Sequence, residues 1–180
     1  FSQLYTEHYY CLSPKSVSQL FAKYNYYENS RVELPIHNGS FGILLSKNTK
    51  AKPLNEISTL VNQETVKNTI ETWANECRSF WKEFIEGKSF ILWGCSAKLV
   101  FTLNTLGIDF NSGLKQIIDS TPQKEGLFPP GSNVPISTES NIISSEDFDL
   151  VIIGARNFSR EISAKIKLTL PDVEIVVPPF

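Results

Sequence analysis

The stretch FILWGCSAKLVFTLNTLGI, residues 90–108, predicts a strand, a tight turn and a helix in direct succession. A short apolar run leads into Gly94, and Ser96 is placed to cap the helix that follows. Apolar residues then recur at helical spacing until Gly107, a residue type that often ends helices. The turn at WGCSAK is therefore either a phosphate cradle or only the corner between a strand and a helix.

The same alternation continues from Lys88 to the end of the chain. Strands are predicted at 89–93, 115–119, 149–154 and 174–177, and helices at 96–106 and 159–169. Because these strands are continuous apolar runs, we expect them to be buried on both faces of a parallel sheet. The order predicts an α/β fold with a Rossmann-like, mostly parallel sheet flanked by helices.

The part before this α/β region has a different pattern. Ser13 and Pro14 are typical of a helix start, and RVELPIHNGSFGILLS predicts two strands around a turn at 37–39. A polar segment at 47–56 predicts a linker. We therefore expect a helix plus hairpin at 1–47, a linker and long helix at 48–87, and the α/β domain at 88–180.

The long helix carries an aromatic and apolar stripe. This spacing predicts packing in a core or between domains rather than a ligand site. The stripe consists of Ile70, Trp73, Cys77, Phe80, Trp81 and Phe84.

Composition excludes several classes of protein. The 180 residues are 41% apolar, enough for a buried core, so global disorder is excluded. Seventeen basic and 19 acidic side chains give a net charge of −2, which argues against a nucleic-acid partner. Three cysteines without CxxC spacing predict free thiols, no metal site and a cytoplasmic location. No apolar run reaches the roughly 20 residues of a membrane helix, so we expect no membrane partner.

The turn at Gly94 matches a dinucleotide fingerprint only in part. That fingerprint uses three glycines and an acidic residue about 20 positions later, on a ribose hydroxyl. Here Gly94 is the only glycine of the set, Asp119 ends the next predicted strand, and Lys98 adds positive charge. The alternative is that these residues only form the turn and end the strand. A dinucleotide-dependent oxidoreductase is the weakest interpretation, since two glycines are missing.

Three blocks of the second half resemble a known family. WGCSAKLVFTLNTLGI, IIDSTPQKEGLFPPGSNVPI and FDLVIIGARNFSREI are similar to the C-terminal domain of S-adenosylmethionine-dependent C-methyltransferases that act on nucleotide-linked deoxysugars. The most specific block is the loop with its Asp, Lys-x-Gly and Pro-Gly pattern. Its matching residues are Asp119, Lys124, Gly126, Pro130, Gly131, Pro135 and Ile136.

The first half resembles the end of that family's methyltransferase domain, where a Tyr-x-Glu-His motif precedes a helix and a hairpin. The resemblance implies that Tyr5, Glu7 and His8 line the active site. His8 would be the base that removes a proton next to the sugar's keto group, so that the enolate attacks the cofactor's methyl group. His37, in the hairpin turn, is either a substrate contact or a turn residue.

The resemblance also implies which residues hold the substrate. Gly94, Ser96 and Lys98 would face phosphate, and the loop with Asp119, Lys124 and Gly131 would contact ribose or sugar. Complete members carry a zinc domain and a glycine-rich cofactor half, which we expect to be missing from these residues. S-adenosylmethionine would then belong to the full-length enzyme, with no cofactor on this chain.

Two further expectations remain open. This chain alone would be inactive as an enzyme, and a second copy of it is a candidate partner, because a severed catalytic domain exposes apolar surface. The alternative function is a non-catalytic module that binds a nucleotide or a sugar nucleotide.

Overall fold

The computed structural model describes residues 12–35, 40–47 and 63–179. Its contacts divide the chain into two compact units, residues 1–65 and 66–180. The predicted hairpin turn and most of the predicted linker lie outside the described residues.

The first unit contains a helix and a hairpin, as predicted. Helix α1 (Pro14–Ala22) begins with a capping box, in which Ser13 Oγ accepts from the Ser16 N–H and Ser16 Oγ accepts from the Ser13 N–H. Strands β1 (Tyr26–Leu34) and β2 (Ser40–Lys47) then pair antiparallel. Strand β1 begins earlier than predicted, since its exposed first half lacks an apolar signal.

The second unit is an α/β sandwich. After helix α2 (Gln63–Phe84), whose first residues precede the unit boundary, the chain forms five parallel strands in the order β5-β4-β3-β6-β7. The strands are β3 (Phe90–Trp93), β4 (Leu114–Ile118), β5 (Ile136–Ser137), β6 (Leu150–Ile153) and β7 (Glu174–Val176). The remaining helices are α3 (Ala97–Leu106) and α4 (Ser159–Thr169). This confirms the predicted Rossmann-like fold.

Both faces of the sheet are covered, which explains the continuous apolar strands. Leu92 and Ile152 point to the side that carries α2 and α3, whereas Val151 and Ile153 point to the side of α4. All four residues of β3 and of β6 are buried. The two central strands therefore form the hydrophobic centre of the unit.

The aromatic stripe of α2 packs only along part of the helix. Cys77 and Trp81 are buried in the core, and Trp81 meets Phe90 edge to face at 5.8 Å between ring centroids. Ile70 and Phe84 remain exposed, although Ile85, the residue after Phe84, is buried in the core, so the Phe84 side chain faces away from the core. Packing is thus confirmed for the middle of the stripe.

The strand order positions a crevice at the carboxyl edge of the sheet. Strand β3 comes first in this unit and lies at its centre, with β4 and β5 on one side and β6 and β7 on the other. The connections that leave β3 and β6 therefore diverge to opposite sides. Ligands of open α/β sheets bind at this kind of switch point.

Candidate functional site

A cavity of about 430 Å³ opens at this carboxyl edge. Four connections and helix α4 supply its walls. They contribute Trp93, Gly94, Ser96, Asp119, Ser120, Thr121, Lys124, Glu139, Ala155, Phe158, Glu161, Ile162 and Lys165. The cavity thus combines the switch point with polar and charged side chains, as small-molecule sites do.

Gly94 allows two central segments to approach each other closely. Its φ is 84°, and a Cβ at this position would lie 2.7 Å from Ala155 Cβ. Gly154 also leaves no room for a side chain, because a Cβ there would clash with the Gly94 carbonyl oxygen. The space next to Gly94 is therefore filled by the end of β6, and this glycine serves the packing of the turn.

Ser96 caps α3 and ties the turn to β6. Its Oγ accepts a hydrogen bond from the Leu99 N–H at 3.2 Å and donates one to the Gly154 carbonyl oxygen at 2.8 Å. The predicted cap is confirmed, and the same hydroxyl group also links the turn after β3 to the end of β6.

Asp119 is buried and fully engaged with the chain. Its Oδ2 accepts from the Cys95 N–H and from Lys124 Nζ, both at 2.9 Å, and its Oδ1 accepts from the Thr121 N–H at 2.9 Å. Burial alone would raise the pKa of this carboxyl, but the hydrogen bonds from Lys124 and Thr121 outweigh it and lower the pKa below its usual value. Asp119 is therefore a carboxylate at neutral pH.

A second ion pair joins two other walls of the cavity. Lys165 on α4 lies 2.9 Å from Glu139, which follows β5. Phe158 stands at the rim with 61% of its surface exposed. Two ion pairs, the acidic Glu161, several hydroxyl groups and one open aromatic ring thus share the cavity.

Positive charge without a described acidic partner lies beside the cavity. Lys98 is in the first turn of α3, and Arg156 follows the lining residue Ala155. Burial first, and then the nearby Arg156, lower the pKa of Lys98. Among the described residues neither side chain forms an ion pair with a carboxylate, and Arg156 donates to the Pro179 carbonyl oxygen. This region can attract an anion.

The predicted substrate residues divide into three groups. Gly94, Ser96, Asp119 and Lys124 line the cavity, whereas Lys98 is outside its lining, two residues after Ser96 in the first turn of α3. Gly131 lies elsewhere, packed against Asn104 in the second half of α3.

The residues predicted to do the chemistry, and one predicted contact, lie outside the described parts of the chain. They are Tyr5, Glu7, His8 and His37. Their roles stay predictions.

Sequence reasoning missed several wall residues. Phe158 lines the cavity and Arg156 lies beside it, and both closely follow a predicted strand, so the rule that carboxyl ends of parallel strands meet at one edge could have found them. Glu139 and Lys165 gave no such signal, since β5 is only two residues long and α4 is mostly polar.

The described cysteines are buried thiols. Cys77 and Cys95 are both free, and burial raises the pKa of each to about 11. Within the described residues no cluster of His, Cys, Asp and Glu side chains is arranged to hold a metal ion. The helices of the described ranges include none long and apolar enough to cross a membrane.

Comparison with known proteins identifies the family. No curated protein sequence matches the chain. The sequence pattern of the family described as C-methyltransferase C-terminal domain matches residues 35–178, which include β2 and the whole five-stranded sheet. Since this match covers most of the chain, the resemblance seen in the three motif blocks of the second half is confirmed. The chain belongs to the C-methyltransferase C-terminal domain family.

Proposed function

We propose that the chain is the C-terminal part of an S-adenosylmethionine-dependent C-methyltransferase, and that its α/β unit holds a nucleotide-linked deoxysugar. The observation that carries the proposal is the cavity at the switch point between β3 and β6. Its neighbouring charges and its lining suit two different parts of such a substrate.

The phosphate groups of the substrate would lie toward the start of α3. Lys98 and Arg156 supply positive charge there, and the helix N-terminus adds its partial positive charge. The mutual repulsion of these two cations would be relieved by an anion between them. This supports a phosphate position beside Ser96.

The hydroxyl-bearing part of the substrate would lie deeper in the cavity. The pairs Asp119–Lys124 and Glu139–Lys165 are locally neutral but present donors and acceptors. Sugar and ribose hydroxyls both donate and accept, so they suit such walls better than a bare phosphate does. Phe158 offers an apolar face at the rim.

The described residues do not fit the methyl-donor cofactor. S-adenosylmethionine carries a cationic sulfonium and no phosphate, so the positive charges of Lys98 and Arg156 near the start of α3 would repel it rather than bind it. When bound to the full-length enzyme, S-adenosylmethionine would supply the methyl group. We assign none of the described residues to it.

His8 is proposed as the base of the reaction, with Tyr5 and Glu7 positioning it or the sugar. In the full-length enzyme, His8→Gln should abolish methyl transfer, because a glutamine amide cannot take up the proton, while sugar-nucleotide binding is kept. Activity is measured by transfer of a labelled methyl group and binding by calorimetry. A His8→Gln enzyme that still methylates would remove His8 from this role.

The phosphate position can be tested on the 180-residue chain by calorimetric titration with UDP-glucose and dTDP-glucose. Lys98→Ala should weaken binding by about tenfold, as expected for the loss of one charge-assisted contact. The matched control is Lys82→Ala, because Lys82 is an exposed residue of α2 outside the cavity lining; this variant should bind like the wild type. Equal affinities of the Lys98→Ala and Lys82→Ala chains would count against the assignment.

The alternative function is a non-catalytic module that binds a sugar nucleotide. It would show the same binding by the chain, but no methyl transfer by the full-length protein.

A further inference from the structure

The backbone N–H and carbonyl of Cys95 lie where neither the sheet nor a helix supplies their hydrogen bonds. Strand β3 ends at Trp93 and α3 begins at Ala97, so the Cys95 N–H and carbonyl belong to neither the sheet ladder nor the helix. The residue is 6% exposed. Buried backbone groups need partners, and here side chains must provide them.

Asp119 and Lys124 provide both partners and also bind each other. Asp119 Oδ2 accepts from the Cys95 N–H, and Lys124 Nζ donates to the Cys95 carbonyl oxygen. Lys124 Nζ also donates to Asp119 Oδ2, so three contacts of 2.9 Å close a ring that includes the backbone N–H and carbonyl of Cys95. The turn is thereby held from both sides.

The carboxylate of Asp119 has little capacity left for a ligand. Its other oxygen accepts from the Thr121 N–H, and the side chain is 7% exposed. By contrast, Lys124 lines the cavity with 37% of its side chain exposed and uses two of its three N–H donors on the chain. One donor therefore remains for a ligand hydroxyl.

We propose that Asp119 is a positioning residue, which acts through Lys124 and the Cys95 peptide rather than by binding a ribose hydroxyl. It fixes the direction of the turn that carries Ser96 and the start of α3. It also holds the Lys124 ammonium at one place on the cavity wall. This role deepens the proposed function and rests on it for the ligand, whereas the hold on the turn is independent of any ligand.

The test compares Asp119→Asn with Asp149→Asn. Asp149 is a matched control, because its Oδ2 also accepts two bonds, from the Ser89 N–H and Oγ at 2.7 Å, before the start of β6. Amide hydrogen exchange is followed by NMR in the 180-residue chain. Asp119→Asn should speed exchange at the Cys95 and Ser96 amides, and Asp149→Asn only at Ser89.

Two probes separate positioning from direct contact. If Asp119 positions the turn, Asp119→Asn weakens the binding of inorganic pyrophosphate and of UDP-glucose alike, by about tenfold. If Asp119 binds ribose directly, pyrophosphate affinity stays at the wild-type value while UDP-glucose affinity falls, and the proposal is overturned.

Two controls keep the test decisive. If Asp119→Asn does not fold, Lys124→Met opens the same ring from the other side and should give the same changes at Cys95 and Ser96. If the wild-type chain binds neither probe, the proposed function fails, and the exchange rates at Cys95 and Ser96 alone decide whether Asp119 holds the turn. Unchanged exchange at both amides would overturn the positioning role.

Discussion

Gly94 and Gly87 adopt nearly the same backbone conformation in very different surroundings. Their φ values are 84° and 80°, but a Cβ at Gly94 would lie 2.7 Å from Ala155 Cβ, whereas none of the surrounding atoms lies within 4 Å at Gly87. Gly94→Ala should therefore lower the free energy of unfolding by about 1–3 kcal/mol more than Gly87→Ala, because only the first creates a clash.

Chemical denaturation followed by tryptophan fluorescence measures this difference. Trp73, Trp81 and Trp93 all lie in residues 66–180, so the signal reports the α/β unit. Equal losses of stability in the two variants would contradict the close approach of Gly94 to β6.

The sequence showed which residue types stand at the turn, but not which hydrogen-bond partners their polar groups find. Gly94, Ser96 and Asp119 were found from the turn and its partial dinucleotide fingerprint, and Lys124 from the family resemblance; they meet in the cavity because parallel strands bring their carboxyl ends to one edge. The hydrogen bond that the Cys95 N–H donates to Asp119 could not be predicted, since it depends on how the loop after β4 folds back over the turn. A motif gives the neighbourhood of a side chain, whereas tertiary contacts decide whether it is free for a ligand.

Helix α2 gives a second prediction, which concerns its packing on the sheet. Trp81 is 8% exposed and packs on Phe90, while Phe84 is 40% exposed. Trp81→Ala should lower the free energy of unfolding by about 3–5 kcal/mol, because it leaves a cavity in the core. Phe84→Ala should lower the free energy of unfolding by much less.

The same denaturation assay applies, since two tryptophans remain in the Trp81→Ala chain. If Trp81→Ala and Phe84→Ala lower the free energy of unfolding by similar amounts, the helix presents a different face to the sheet.

Long elements with a clear period were predictable, and short ones were not. Helix α4 matches its predicted range of 159–169, and β3 and β6 were recognised by apolar runs. Strand β5 was missed because its two residues stand in a loop rich in proline and glycine. It pairs with β4 through Ile136 and Ser137, a non-local contact that leaves no local pattern.

In the whole α/β unit, one edge of the sheet gathers groups that are distant in sequence. The turn at Gly94 and the pair Glu139–Lys165 meet there because all five strands are parallel and the central strand comes first. Within the described ranges, this topology places Lys98 and Arg156, which form no ion pair with a carboxylate there, near a cavity lined by two ion pairs and Glu161. The arrangement is what a ligand with a charged and a neutral polar end requires.

The most direct test is calorimetric titration of the wild-type chain with UDP-glucose or dTDP-glucose and, separately, with S-adenosylmethionine. We predict saturable binding of at least one sugar nucleotide to one site per chain, and no binding of S-adenosylmethionine. If neither sugar nucleotide binds, the cavity is not a substrate site, and the turn at Gly94 serves only to join β3 to α3.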